Sequence, residues 1–163
     1  IAPPGLAPSY ILKPTLRLVD NLLVGAVAGE VDVAYLRDQQ ALEEEETCEP
    51  GVYLFSGFGA VPDDQDSDGE AGDNDDPVVY KALEPDSTTG VAEYLIPFVE
   101  AGEYTVAFTC DFGVDDDPVV SDYNPAVTDP AAEDFEGLMR WTIEDEVEVK
   151  AEETTEVSLL PTT

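Results

Sequence analysis

Between Pro62 and Asp76 the chain reads PDDQDSDGEAGDNDD, and within it Asp64, Asp66 and Asp68 alternate ahead of Gly69. Alternate carboxylates on a sharply turning loop converge on one point, and glycine permits the turn that brings the next carbonyl in beside them. Hard oxygen ligands in that number suit calcium better than a transition metal. Taking Asp64 as the first position of a calcium loop, Asp66 and Asp68 fall at the third and fifth positions and the Glu70 carbonyl at the seventh. Asp75 then stands where a helix–loop–helix calcium site has its bidentate Glu, with Asp73 and Asp76 as substitutes for its shorter reach. The flanks read as strands, so a paired helical site is not expected. The competing reading is a solvated acidic loop, because Asp is so frequent here that the spacing can arise by chance. A second acidic group, Asp115, Asp116 and Asp117 with Asp122, and Asp111 just before it, lacks a turning glycine at the matching place. It is expected at the same end of the fold as a second or shared cation site.

Catalytic chemistry finds little support. The sequence contains no His, which removes Ser-His-Asp and Cys-His arrangements, His-ligated zinc and histidine-carboxylate iron. Two carboxylates can cleave a glycoside, but nothing singles out a pair with one raised pKa among 38 acidic residues. No enzyme is expected. Trp141 beside Arg140, with Tyr80, Tyr94, Tyr104 and Tyr123, is a candidate sugar-stacking platform, against the commoner reading of such aromatics as core or sheet surface.

The charge balance sets the partners. Six basic residues face 38 acidic ones, for a formal net charge of −32. Such a body repels nucleic acid and anionic lipid, and suits high salt, divalent cations or a cationic partner. Apolar residues still make up 43% of the chain, enough for a core, so disorder is not the default. No apolar run approaches the roughly 18 residues of a membrane span. The start at Ile1, without Met or signal peptide, reads as a mature or trimmed product. Cys48 and Cys110 are expected to form a disulfide, with two buried thiols as the alternative. A bridge closing about 60 residues contributes roughly 4 kcal/mol in the chain-entropy model and implies export.

The elements that must carry these loops read as strands. In LLVGAVAGEVDVAYL, Val27, Gly29, Val31, Val33 and Tyr35 alternate with smaller or acidic residues, which predicts one strand through Tyr35. Glu43 to Glu46 read as a solvated turn. Gly51 to Phe55, Val78 to Leu83, Val91 to Val99 and Tyr104 to Cys110 are further strands, with turns at Thr88-Thr89-Gly90 and Glu100-Ala101-Gly102. The end of the chain predicts two strands joined near Ala151-Glu152-Glu153, with a helix over Glu144 to Glu153 as the alternative. About seven or eight short strands imply an all-β, antiparallel sandwich of immunoglobulin or transthyretin type. The expected division is an arm over residues 1–24 and a sandwich over residues 25–163.

Gly25-x-Val27-x-Gly29-x-Val31, then Gly90-x-x-x-Tyr94-x-x-x-x-Phe98 and Ala101-Gly102-Glu103-Tyr104-Thr105-Val106, resembles carboxypeptidase-regulatory-like, transthyretin-type sandwich modules. That resemblance implies a fold and almost nothing about activity. Tyr10 to Asn21, Gly51 to Gly57, Val61 to Glu70 and Ala101 to Asp111 are similar to the C-terminal part of an uncharacterised family of bacterial envelope lipoproteins. This second likeness implies a secreted or bacterial cell-surface location and a Cys48–Cys110 pair. The chain departs from that pattern in lacking an N-terminal half and a lipid-anchor cysteine, which reads as processing or omission.

The N-terminal arm opens with IAPPGLAP, an extended proline-rich run. Behind it Tyr10, Ile11, Leu12, Leu16, Leu18 and Val19 form an apolar segment that holds Lys13 and Arg17, two of the six basic residues. Pro14 confines this segment to a sheet edge. Such a strand suits addition to a neighbour's sheet, and head-to-tail addition of identical subunits gives open filaments. Pairing within its own domain is the competing expectation. The sequence thus points to a calcium-stabilised surface protein that partners with itself, or alternatively to a monomeric module binding glycan or protein. Extracellular calcium loops bind with a Kd on the order of 10⁻⁴ to 10⁻³ M, so at roughly 10 mM calcium the ion stabilises the fold by about 1.4 to 2.7 kcal/mol. Replacing both Asp64 and Asp68 by Ala is expected to abolish the rise in Tm on adding calcium. A calcium-dependent Tm that survives the double substitution rules this loop out as the site.

Overall fold

The computed structural model describes residues 23–62, 77–114 and 139–162. They form a sandwich of two sheets. The first contains β1 (Val24–Asp32), β4 (Val91–Glu100) and β7 (Thr154–Glu156), in the order β4-β1-β7. The second contains β2 (Gly51–Ser56), β3 (Val79–Ala82), β5 (Gly102–Thr109) and β6 (Thr142–Val149), in the order β3-β2-β5-β6. The all-β sandwich is therefore as expected, with seven strands. All pairs are antiparallel except β1 with β7, which runs parallel, so the first sheet is mixed.

Period-two alternation builds the core. Val27 and Val31 of β1 and Ala92, Tyr94 and Ile96 of β4 are buried with Val52 and Leu54 of β2 and Val106 and Phe108 of β5 in one cluster. Val147 and Val149 of β6 join them, and their spacing marks the segment as strand rather than helix. The tyrosine rings reach the core because their hydroxyls find acceptors. Tyr94 donates to the Val157 carbonyl at 2.6 Å and Tyr104 to the Glu100 carbonyl at 2.8 Å. Strand β5 is buried on both faces. On its outer face Tyr53, Phe55, Ala60 and Ala107 form a second cluster with Phe112 and Trp141, where the Tyr53 and Trp141 rings meet edge-on at 4.8 Å.

One expected strand is shorter than its pattern. Alternation runs through Tyr35, yet β1 ends at Asp32 and a short helix, α1 (Val33–Gln39), follows. The Asp32 carboxylate accepts from the Tyr35 backbone N–H at 3.0 Å, capping the helix and diverting the chain. Leu36 is then the helix's buried residue. Cys48 and Cys110 also lie just outside strands, flanking β2 and β5 rather than within them.

The C-terminal run crosses β1 at very short range. Ala26 and Asp32 donate to the Glu153 and Leu159 carbonyls, while Val157 and Leu159 donate back to the Ala28 and Glu30 carbonyls. A Cβ at Gly29 would collide with the Val157 carbonyl, and one at Gly25 with those of Lys150 and Glu153. Both obstacles are backbone, so neither gives way easily. Gly29→Ala is expected to lower unfolding stability by about 1 to 3 kcal/mol, read as a reduced urea midpoint at unchanged m-value. A midpoint equal to the parent's would mean that the C-terminal run is not held there.

Candidate functional site

Of the predicted site residues, the structure describes the cysteine pair. Cys48 and Cys110 are joined, 62 residues apart in sequence. The predicted calcium ligands from Asp64 to Asp76, the second cluster from Asp115 to Asp122, and the assembly segment from Tyr10 to Val19 lie outside the described residues. Among the described residues no group of three or more Asp, Glu, His or Cys is placed to hold a metal ion.

Asp111, which the sequence groups with the second acidic cluster, has another task. Both of its oxygens accept from the Arg140 guanidinium, at 2.7 and 3.1 Å, and the Arg140 backbone N–H adds a third bond at 2.8 Å. Arg140 also reaches Glu46 at 3.1 Å. The Asp111 hydrogen bond is the main reason that the Arg140 pKa stands above its usual value. The Glu46 pKa is lowered, first by the Glu43 backbone N–H and then by Arg140. Beside this pair the buried Gln40 side chain donates to the Phe108 carbonyl and accepts from the Cys110 N–H. These groups satisfy one another and tie α1, the disulfide and β5 together; they form a structural junction, not an acid–base pair. The stacking platform also dissolves in part. Tyr94 and Tyr104 are core residues, and burial pushes the Tyr94 phenol well up. Trp141 leans on Tyr53 and Phe55, and Tyr80 stacks on Tyr53 at 5.5 Å.

Among the described strands, β4 lies at a sheet edge, as do β3, β6 and β7. Inward-facing Ala92, Tyr94 and Ile96 alternate with Glu93 and Leu95, and Leu95 is half exposed although it is apolar. Pro97 follows, as suits a strand with no partner on one side among the described strands. Gly25 pairs with Val99 and Ala26 with Pro97, so Phe98 is an extra residue, a bulge in the ladder. Its φ is 60° and the residue is 55% exposed. A large aromatic side chain in the left-handed region is a strained placement, and here the residue is only half covered.

Between this edge and the β3 edge lies a cavity of about 220 Å³ lined by Val78, Val79, Ile96, Pro97, Phe98 and Tyr104, among others. Lys81 of β3 spans the gap further along, donating to the Leu95 carbonyl at 3.1 Å. In this intensely acidic chain the described lining of the cavity includes one carboxylate, Glu100. The opposite end of β4 differs sharply. There Glu30, Glu84, Asp86 and Glu93 surround an open cleft. Asp86 is already engaged, accepting from the Thr89 and Thr88 backbone N–H groups, which hold its pKa below the ordinary value. Along the outer edge of β4 the Leu95 carbonyl is taken by Lys81 and the Val91 carbonyl by the Asp86 backbone N–H, and Pro97 has no N–H to offer.

Residue types alone did not single out this site. Its signal was present in VAEYLIPFV, where Leu95 occupies the solvent parity between Glu93 and Pro97. Replacing Phe98 by Gly removes a side chain that is strained and exposed. The left-handed strain of about 1 kcal/mol that is relieved offsets the usual glycine cost, so stability is expected to stay level or rise slightly in urea unfolding. A loss above about 2 kcal/mol, the size of a buried aromatic's contribution, would mean that Phe98 belongs to the core. Comparison of the chain with protein-family models, curated proteins and solved structures finds no match.

Proposed function

We propose that this chain is a non-enzymatic structural protein of the bacterial cell surface or its surroundings, a subunit that joins copies of itself into a filament or matrix by strand addition. The observation that carries this reading is the β4 edge, a largely apolar strand that among the described strands has a partner on one side, beside a slot whose described lining holds one carboxylate. The Cys48–Cys110 bridge supports export, since such bonds persist in oxidising surroundings. The acidic surface supports a need for cations. At −32, copies repel one another until counter-ions screen or bridge them. Calcium is the proposed ion, held by the Asp64 to Asp76 loop, whose spacing supplies the ligands.

A monomeric module for glycan or protein ligands is the second reading. It is favoured by the aromatic layer on the outer face of the second sheet, where Tyr80 is partly exposed.

Sedimentation velocity of the full chain separates the two. In millimolar calcium the subunit is expected to sediment as large species that revert to monomer on adding a chelator. A monomer in both conditions would overturn self-assembly and leave the binding module.

A further inference from the structure

We infer that the slot between the β3 and β4 edges is a docking site for an arginine side chain of a basic partner protein, held between the Phe98 ring and the Glu100 carboxylate. The inference goes beyond the assembly reading and does not rest on it. Size, strain and charge converge on it.

The slot encloses about 220 Å³. An apolar cavity of about 150 Å³ already admits benzene, whereas a drug-sized ligand needs about 300 Å³ or more. The slot therefore takes one long side chain rather than a whole ligand. Val78 and Val79 wall it on the side of the second sheet, and Ile96, Pro97 and Phe98 on the side of the first. Walls of this kind suit the methylene stem of a long side chain.

The strain lies in the same walls. The bulge holds Phe98 at a φ of 60° with the residue 55% exposed, and Val78 is 52% exposed. A strained aromatic residue left half uncovered at the mouth of a slot is placed to be covered by what enters it.

Charge selects the occupant. A formal net charge of −32 draws cations and repels both anions and a second copy of the chain. Glu100 is the one carboxylate in the described lining. Its backbone carbonyl accepts from the Tyr104 hydroxyl at 2.8 Å, which fixes the residue at the rim. The ion pairs among the described residues are those of Arg140, so the Glu100 carboxylate is left unpaired there. An inorganic cation has no use for apolar walls, and a neutral apolar group has none for the field. A cation on an aliphatic stem uses both. Arginine suits the site better than lysine, because its planar, weakly hydrated guanidinium forks onto a carboxylate and stacks on an aromatic face.

The test follows the backbone amides of the full chain by NMR during titration with the capped tripeptide Ala-Arg-Ala. The same peptide with lysine, or with citrulline as the uncharged isostere of arginine, serves as the comparison. Salt of about 1 M shortens the screening length to about 3 Å and suppresses the diffuse attraction of the acidic body. The arginine peptide is expected to shift the Val79, Ile96 and Phe98 amides saturably, and the other two peptides to bind about threefold or more weakly. Glu100→Gln alters an exposed side chain, so it is expected to keep the parent's Tm while weakening the arginine peptide by about threefold or more. Phe98→Gly is expected to weaken it likewise through the lost ring face. Equal binding of the citrulline peptide, undiminished binding by Glu100→Gln, or shifts spread over the acidic surface would overturn the inference. Shifts at the slot that follow protein concentration with no peptide present would give it to a second copy and overturn it as well.

Discussion

Self-repulsion is the constraint under which everything else in this molecule is arranged. With 38 acidic and six basic residues, each carboxylate brought near another costs energy, and few cations can offset it. The strands resolve this by parity. On β6, Glu144, Asp145, Glu146 and Glu148 are exposed while Val147 and Val149 go inward. Three of the four described basic residues sit at junctions, while Lys150 is exposed. Arg37 donates to the Glu43 and Glu46 carbonyls, Lys81 to the Leu95 carbonyl, and Arg140 to Asp111 and Glu46. Each therefore fixes backbone or a loop, and the surface charge stays largely unbalanced. Carboxylates are sparse in the described lining of the slot at the β4 edge, where Glu100 stands alone.

The mechanical frame follows from two close contacts. At one end, the disulfide, the Gln40 amide and the Arg140–Asp111 pair bind α1 and the ends of β2 and β5 into one unit. Along the other sheet, the C-terminal run lies against β1 over glycines that leave room for its carbonyls. This run pairs with the β7 side of β1 and becomes the edge of the sheet there. The opposite side, β4, ends its sheet with nothing beyond it among the described strands.

Much of the fold was legible in the sequence because it is written in period-two alternation. β2, β3, β4, β5 and the final pair of strands fall close to their predicted places, and the cysteines are bonded as expected. The misreading at Val33 and Tyr35 has a local cause: one capping carboxylate, Asp32, outweighs two more alternating residues. The site was less legible. The eye goes to carboxylate spacing in a chain where carboxylates are everywhere, and the described part of Asp111's cluster turned out to serve an arginine. Leu95 and Phe98 carry no chemistry of their own. They matter only through where the edge of β4 lies and how its bulge turns a ring outward, and both depend on pairing with β1, which no residue-by-residue reading contains.

The most direct test of strand addition at β4 is amide hydrogen exchange followed as a function of protein concentration in calcium. Paired amides are protected, so the outward N–H groups between Ala92 and Glu100 are predicted to slow as concentration rises, while β2 and β5 keep their rates. Exchange in β4 that is indifferent to concentration, or concentration-dependent protection confined to other strands, would contradict the account.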